Sequence, residues 1–512
     1  MEAYAVGRPA ASANVLAVGM DALVGELARL VSDLTAGTAA RSFDEIEQLV
    51  IVRGRELLRM ITEHVADGLA AGERRLAEVT GADGVPRRRA ERGHARTVVT
   101  WFGPVAVRRV AYRAPGAANL YPADLVLGLP VRRYSWQVQR AAVLYALAGS
   151  YEQAQLLLRA ATGISVGKQQ LEQIVTGAAR DAPEFYAARR DQAAAGPPGP
   201  VLAISADGKG VAMRPEGRRA ETARKARQHV KAFGSRLGTG EKTGHKRIAE
   251  TGVVFDVQPP QEPRTPEQIM GRAPGQAPPA GPQAVNRWYT VDITASRAET
   301  ISALFGEAER RDPGHTRTWI ALADGDRHQI EVIRAEASAR GITITILIDF
   351  IHVLEYLWKT AWCFHPPRDP AAEDWVTVQG LGILHGRVSQ VITTIEALAA
   401  AHPPRPGSEH DKIIRKTLHY LGAKQPYLDY PRALASGWPI ATGVIEGACR
   451  HLVADRMGIT GARWGLEGAQ AILWLRAIRA NGDLDTYWDW HITRERQRNH
   501  LSRYQAGHTL AA

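Results

Sequence analysis

Apolar and polar residues change their spacing twice along the chain. From Ser42 to Leu76 apolar side chains recur at three- and four-residue steps (Ile46, Leu49, Val50, Leu57, Leu58, Ile61), which predicts a long amphipathic helix. Ser42 followed by Glu45 reads as a capping box at its start. The residues before it, 1–40, are small and polar and read as a flexible lead-in. RTVVTWFGPVAVRRVAYR, 96–113, alternates on either side of Gly103-Pro104 and predicts a hairpin with basic residues on one face. Helical spacing returns from Ser135 to Ala179. Within it, over 150–180, two helical patterns flank TGISVG, the spacing of a DNA-binding helix-turn-helix. An ordinary helical hairpin has the same spacing, and both readings stand.

A Pro/Gly-rich linker occupies 191–200. Beyond it the text alternates between strands and helices. Strands are predicted at 201–210, 248–257, 287–295, 317–326 and 342–350, and helices at 298–311 and 327–341. Two inserts interrupt this order: a highly basic stretch at 214–247 and a Pro/Gly-rich exposed loop at 258–285. From 352 to 427 the pattern is mostly helical, and two more helices follow at 440–457 and 465–483. The predicted class is α+β. A mainly helical N-terminal DNA-binding region with a hairpin (41–190) precedes an RNase H-like α/β core. The core falls in two parts, 201–351 and 436–500, separated by a helical insertion at 352–435, and 501–512 is a tail.

The formal net charge of +11 gives this picture a partner, because a protein this basic most often meets a polyanion, usually nucleic acid. Cys363 and Cys449 are the two cysteines. They fit a reducing compartment, and without a CxxC pair no structural zinc site is expected. The most apolar long window, ITITILIDFIHVLEYLW, carries Asp349, His352 and Glu355, so no membrane span is expected, nor is a signal peptide.

Three predicted strands end in aspartate: Asp207, Asp324 and Asp349. In the strand order of an RNase H-like domain the first and fourth strands are neighbours, so Asp207 and Asp324 face one another. Paired carboxylates repel, and a divalent cation with a preference for oxygen ligands relieves that repulsion. Two ions, Mg²⁺ or Mn²⁺, suit in-line displacement at a phosphodiester. Glu446, on the predicted 440–457 helix, is the candidate third carboxylate. Asp349 has two readings, the N-cap of the helix that follows or the second acid of the site. His352 is either a packed histidine or a neighbour of the site. Arg450 and His451 follow Glu446 by about one turn, and Arg450 either pairs with it or contacts phosphate. Lys209, Arg218, Arg219, Arg224, Lys225 and Arg227 are candidate phosphate contacts, as is Lys168 in the second helix of the 150–180 pair. Arg463 is a further candidate DNA contact, and Trp464 beside it either stacks on an unpaired base or fills the core.

SADGKG, LADGDRHQ, IDFIHVLEYLWKTAWCF, the block GWPIATGVIEGACRHLVADRMGITGARWGLEGAQAILWLRA and YWDWH together resemble the ISKra-type bacterial insertion-sequence transposases of the DDE class. The likeness runs from about 121 to 500. It implies an RNase H-like recombinase with a helical insertion before the catalytic glutamate. By the same resemblance Asp207, Asp324 and Glu446 form the metal-binding triad. The implied partners are double-stranded DNA, at the element's ends and at the target, and further copies of the chain on that DNA. The implied location is the bacterial cytoplasm, at the nucleoid. A DNA-binding relative without activity and a structure-specific nuclease of the same fold are the competing readings.

Overall fold

A computed structural model describes residues 20–36, 41–189, 199–228, 245–271 and 280–505. The chain divides into two units, Met1–Asp181 with Leu484–Ala512, and Ala182–Asp483. Most of the predicted lead-in, the linker, the centre of the basic stretch, the middle of the Pro-rich loop and the end of the tail lie outside the described residues.

The first unit is built on an antiparallel hairpin, β1 (Arg89–Thr100) and β2 (Gly103–Arg113), closed by the pairing of Thr100 with Gly103. Its basic face is not uniformly solvated. Arg109 is buried, bonded to Asp124 and lying 4.1 Å over the Tyr121 ring. The predicted capping box opens the helix Phe43–Ala71, with Ser42 N–H donating to Glu45 at 2.7 Å. The lead-in holds an unforeseen helix, Met20–Thr35. The 150–180 segment folds as helices Tyr151–Thr162 and Lys168–Ala179, and Gly163, at φ +74°, turns the chain between them. The helix Leu484–Asn499 packs in this unit: Tyr487 Oη donates to the Ala178 carbonyl, and His491 and Arg498 both reach buried Asp181. This helix is expected in the core, within 436–500, and lies instead in the first unit.

The second unit contains five strands: β3 (Val201–Ala212), β4 (Lys246–Gln258), β5 (Gln283–Asp292), β6 (Thr318–Ala323) and β7 (Ile344–Ile348). Their order across the sheet is β5-β4-β3-β6-β7. The first three pair antiparallel, and β6 and β7 run parallel to β3. An antiparallel trio followed by two parallel strands reached through helices is the RNase H-like arrangement, so the fold class is α+β as expected. The central strands are apolar on both faces (Leu202, Ile204, Val253, Phe255, Ile320, Leu322, Leu347), as strands covered on two sides must be. The helices Arg297–Arg311 and Arg327–Ala339 supply the connections. After β7 the chain leaves the sheet through helices Phe350–Phe364, Pro370–Leu384, Val388–Ala401 and Glu409–Lys424. It returns at Gly443–Ala448, and the helix Leu466–Ala480 packs on β5.

One strand end differs from the reading above. β3 does not stop at Asp207-Gly208 but pairs on to Ala212, with Asp207 opposite Thr251 and Ala212 opposite Lys246. Gly208 permits this, since a Cβ there would lie 2.5 Å from Ile248 Cγ2.

Candidate active site

The parallel registers set three aspartates in one row. Ser205 pairs with Leu322, and Ala323 with Ile348. Carried forward, these registers bring Asp207 level with Asp324 and Asp324 level with Asp349. The level is locked by Ser205 Oγ donating to the Leu322 carbonyl at 2.8 Å and by Asp349 N–H donating to the Ala323 carbonyl at 2.8 Å.

A short helix crosses this row. Thr442, Glu446 and Cys449 share one face at spacings of four and three. At one end, Thr442 gives Asp349 Oδ2 its backbone N–H at 3.1 Å and its hydroxyl. At the other, the Cys449 thiol donates to Asp207 Oδ2 at 3.5 Å. Seven residues of helix advance about 10 Å. Two inter-strand steps cover about the same distance. Glu446 lies between the two anchors in sequence, and the groups within ligand range of it among the described residues are Asp349 and His352. Glu446 Oε1 lies 3.3 Å from Thr442 Oγ1.

The four acids differ in setting. Asp207 is half-buried, and its Oδ1 accepts the Gly208 N–H at 2.6 Å. Asp324 is exposed and accepts the Asp326 N–H at 2.9 Å. Asp349 is fully buried and caps the following helix, accepting the Ile351 N–H at 2.7 Å. The N-cap reading of Asp349 is the observed one. Its carboxylate also fastens Thr442, which no local sequence signal announced. Burial, and then the Asp207 carboxylate, push the Cys449 thiol up to about 12, so it stays protonated and remains a donor. Asp349, His352 and Glu446 each bring a ligand atom to within 4.8 Å of the others.

None of Asp207, Asp324, Asp349 and Glu446 pairs with a lysine or arginine among the described residues. On the adjacent strand, by contrast, Glu250 is met by Arg297 at 3.2 Å and Asp256 by Arg317 at 2.6 Å. Carboxylate oxygens with a nearby imidazole and no resident cation are a donor set suited to a hard divalent ion.

Several expected contacts fall elsewhere. Arg450 does not reach Glu446 and instead lies 3.8 Å from Asp455. The helix that carries both residues widens to a π-turn over Cys449–Ala454. His451 meets the Gly447 carbonyl at 2.6 Å and the Tyr289 ring edge-on. Trp464 is a core residue, 5% exposed, with its indole N–H on the Met457 carbonyl at 3.0 Å and the Arg456 guanidinium over its ring. It has no free face for a base, which corrects its assignment as a DNA contact. Arg463 beside it is exposed. Lys209, two residues beyond Asp207 and so on the same face of β3, is exposed. Arg219, Arg224, Lys225 and Arg227 are exposed on or beside the helix Ala220–Gln228, with Lys225 bonded to Glu221 at 2.7 Å. Arg218 is half-buried. Lys168 belongs to the first unit and pairs with Glu152 at 2.8 Å. No helix of the described residues is long and apolar enough to cross a membrane.

Comparison with known proteins adds little to this geometry. No family model and no curated protein matches the chain. Among solved structures, the Drosophila P element transposase strand transfer complex aligns over 72% of this chain and 81% of its own, at 10% identity and a TM-score of 0.23.

Proposed function

We propose that the chain is a DDE transposase of a bacterial insertion sequence, cutting DNA at the ends of its element and joining the freed 3′ ends to target DNA. The observation that carries this reading is the row of aspartates on adjacent strands, crossed by the Glu446 helix, with no cationic side chain paired to it among the described residues. Asp207, Asp324 and Glu446 are the residues that would hold two Mg²⁺ or Mn²⁺ ions. Such ions would supply an activated hydroxyl and stabilise the leaving oxygen. The protein's own part is positional. Asp349 and Thr442 fix the height of Glu446, and Cys449 orients Asp207. Lys209 holds a backbone phosphate beside the acids, and the basic helix Ala220–Gln228 adds affinity that carries no sequence information. The helical pair at 150–180 reads the element's ends, and two ends cut together call for more than one copy of the chain.

The test is a cleavage and strand-transfer assay on linear DNA bearing the element's ends, with Mg²⁺, Mn²⁺ or EDTA. Nicked and joined products that need metal, and vanish in Asp207→Asn, Asp324→Asn and Glu446→Gln while DNA binding persists, are the expected result. Metal-dependent cutting without joining would indicate a nuclease instead, and binding without cutting an inactive relative.

A further inference from the structure

The first helix of the insertion, Phe350–Phe364, starts at the carboxylates and leads away from them. His352, Tyr356, Lys359 and Trp362 recur at spacings of four, three and three and so share one face. At 1.5 Å per residue that face is about 15 Å long. At its near end His352 lies within 4.8 Å of Asp349 and Glu446. Next, Tyr356 stacks on Tyr420 with ring centroids 4.0 Å apart, and Tyr420 Oη donates to the Asp324 carbonyl at 3.4 Å, which ties the stack to the end of β6. Two ammonium groups gather at the Tyr356 ring, Lys359 Nζ at 5.3 Å and Lys416 Nζ at 5.7 Å from its centroid. Lys359 also reaches Glu355 at 3.3 Å, whereas exposed Lys416 forms no ion pair among the described residues. At the far end Trp362 rests on Trp358, centroids 5.5 Å apart, and still leaves 41% of its surface to solvent. An indole held in place by a neighbour yet left in water is pre-organised to receive a flat partner.

We propose that this face is a binding track for an unpaired polynucleotide strand. Lys416 and Lys359 hold a backbone phosphate, and Trp362 stacks on a base about four nucleotides from the carboxylates, at about 3.4 Å of rise per nucleotide. A paired duplex hides its base faces and cannot use Trp362. The track deepens the proposed function, and rests on it only for which strand is held.

The test is an anisotropy titration of the full chain in EDTA against three fluorescein-labelled probes: a twelve-nucleotide thymidine strand, an abasic strand of the same length, and a blunt duplex. Trp362→Ala is expected to weaken binding of the thymidine strand by about five- to a hundredfold. It should spare the abasic strand, and Trp362→Phe should recover most of the loss. Lys416→Gln is expected to weaken both single strands and to flatten the salt dependence of log K by about 0.7. Thymidine-strand binding by Trp362→Ala within twofold of wild type overturns the proposal. So does a loss of equal size on the abasic strand, and so does a Trp362→Phe variant as weak as the alanine one. Because metal is absent, the titration reads binding without cleavage, so loss of the cleavage reading and loss of the track are separable results.

Discussion

Among the described residues, two clusters bring two carboxylates and a histidine into ligand range: Asp181, His491 and Glu495 in the first unit, and Asp349, His352 and Glu446 in the second. They differ in what closes them. Arg498 reaches both Asp181 and Glu495, His491 bonds Asp181 at 2.7 Å, and the aromatic rings of Trp136, Tyr487 and Trp488 surround the imidazole. The charge is balanced within the fold, as a buried ion pair requires. The second cluster is half open, carries no arginine or lysine among the described residues, and adjoins two further aspartates in register. Proximity of ligand atoms does not distinguish the two, but the sign of the uncompensated charge does.

The widest separation should come from charge removal. Asp207→Asn, Asp324→Asn or Glu446→Gln should lower metal-dependent cleavage by about a thousandfold or more. No substitution in the Asp181 cluster should act on the cleavage step itself, as read by single-turnover rates on folded protein. The next effect runs the other way. Asp181→Asn, which leaves Arg498 short of its partner, should cost about 3–5 kcal/mol in denaturant unfolding. Asp207→Asn should be neutral or slightly stabilising in metal-free buffer, because it removes a repulsion. Smaller again, Thr442→Val should weaken Mn²⁺ binding about 10- to 100-fold by calorimetry, with Thr442→Ser restoring it. Metal-free stability equal to wild type would then separate positioning from folding.

The smallest effect is acid sensitivity. Burial acts to raise the Asp181 carboxyl, but His491 and Arg498 overcome it and hold the group below its ordinary 3.8. A carboxyl lowered on folding contributes stability that is complete above its unfolded value and is lost as pH falls through the folded one. That contribution should therefore survive a titration from pH 7 to 5, and disappear only below about 3.8, in pH-resolved melts of wild type against Asp181→Asn. A loss already present at pH 5 would contradict the pairing.

Much of the core was legible because its signals are local. Asp-Gly after an apolar run marked Asp207 and Asp324, and an aspartate before a helical pattern marked Asp349 as a cap. The parts that escaped depend on register and helix geometry. Thr442 and Cys449 carry no motif and acquire meaning only when the Glu446 helix is laid across three strand ends. The π-turn over Cys449–Ala454 leaves no spacing to read. Trp464 reads from sequence as a stacking residue or a core residue, and only its burial decides for the core. In the helix Met20–Thr35, the stripe Met20, Val24, Leu27 and Val31 was present at helical spacing but thinned by alanine and glycine.

The contact between Asp349 and Thr442 spans 93 residues of sequence. Beside it, Phe350 N–H meets the Ile440 carbonyl at 2.9 Å, so the insertion leaves and rejoins the sheet through one small doorway. The entropy of closing such a loop grows only with the logarithm of its length. A lineage can therefore lengthen, shorten or exchange the helices beyond that doorway at little cost to the spacing of the acids. The same clasp gives the core an address at which new specificity can be attached without rebuilding its chemistry.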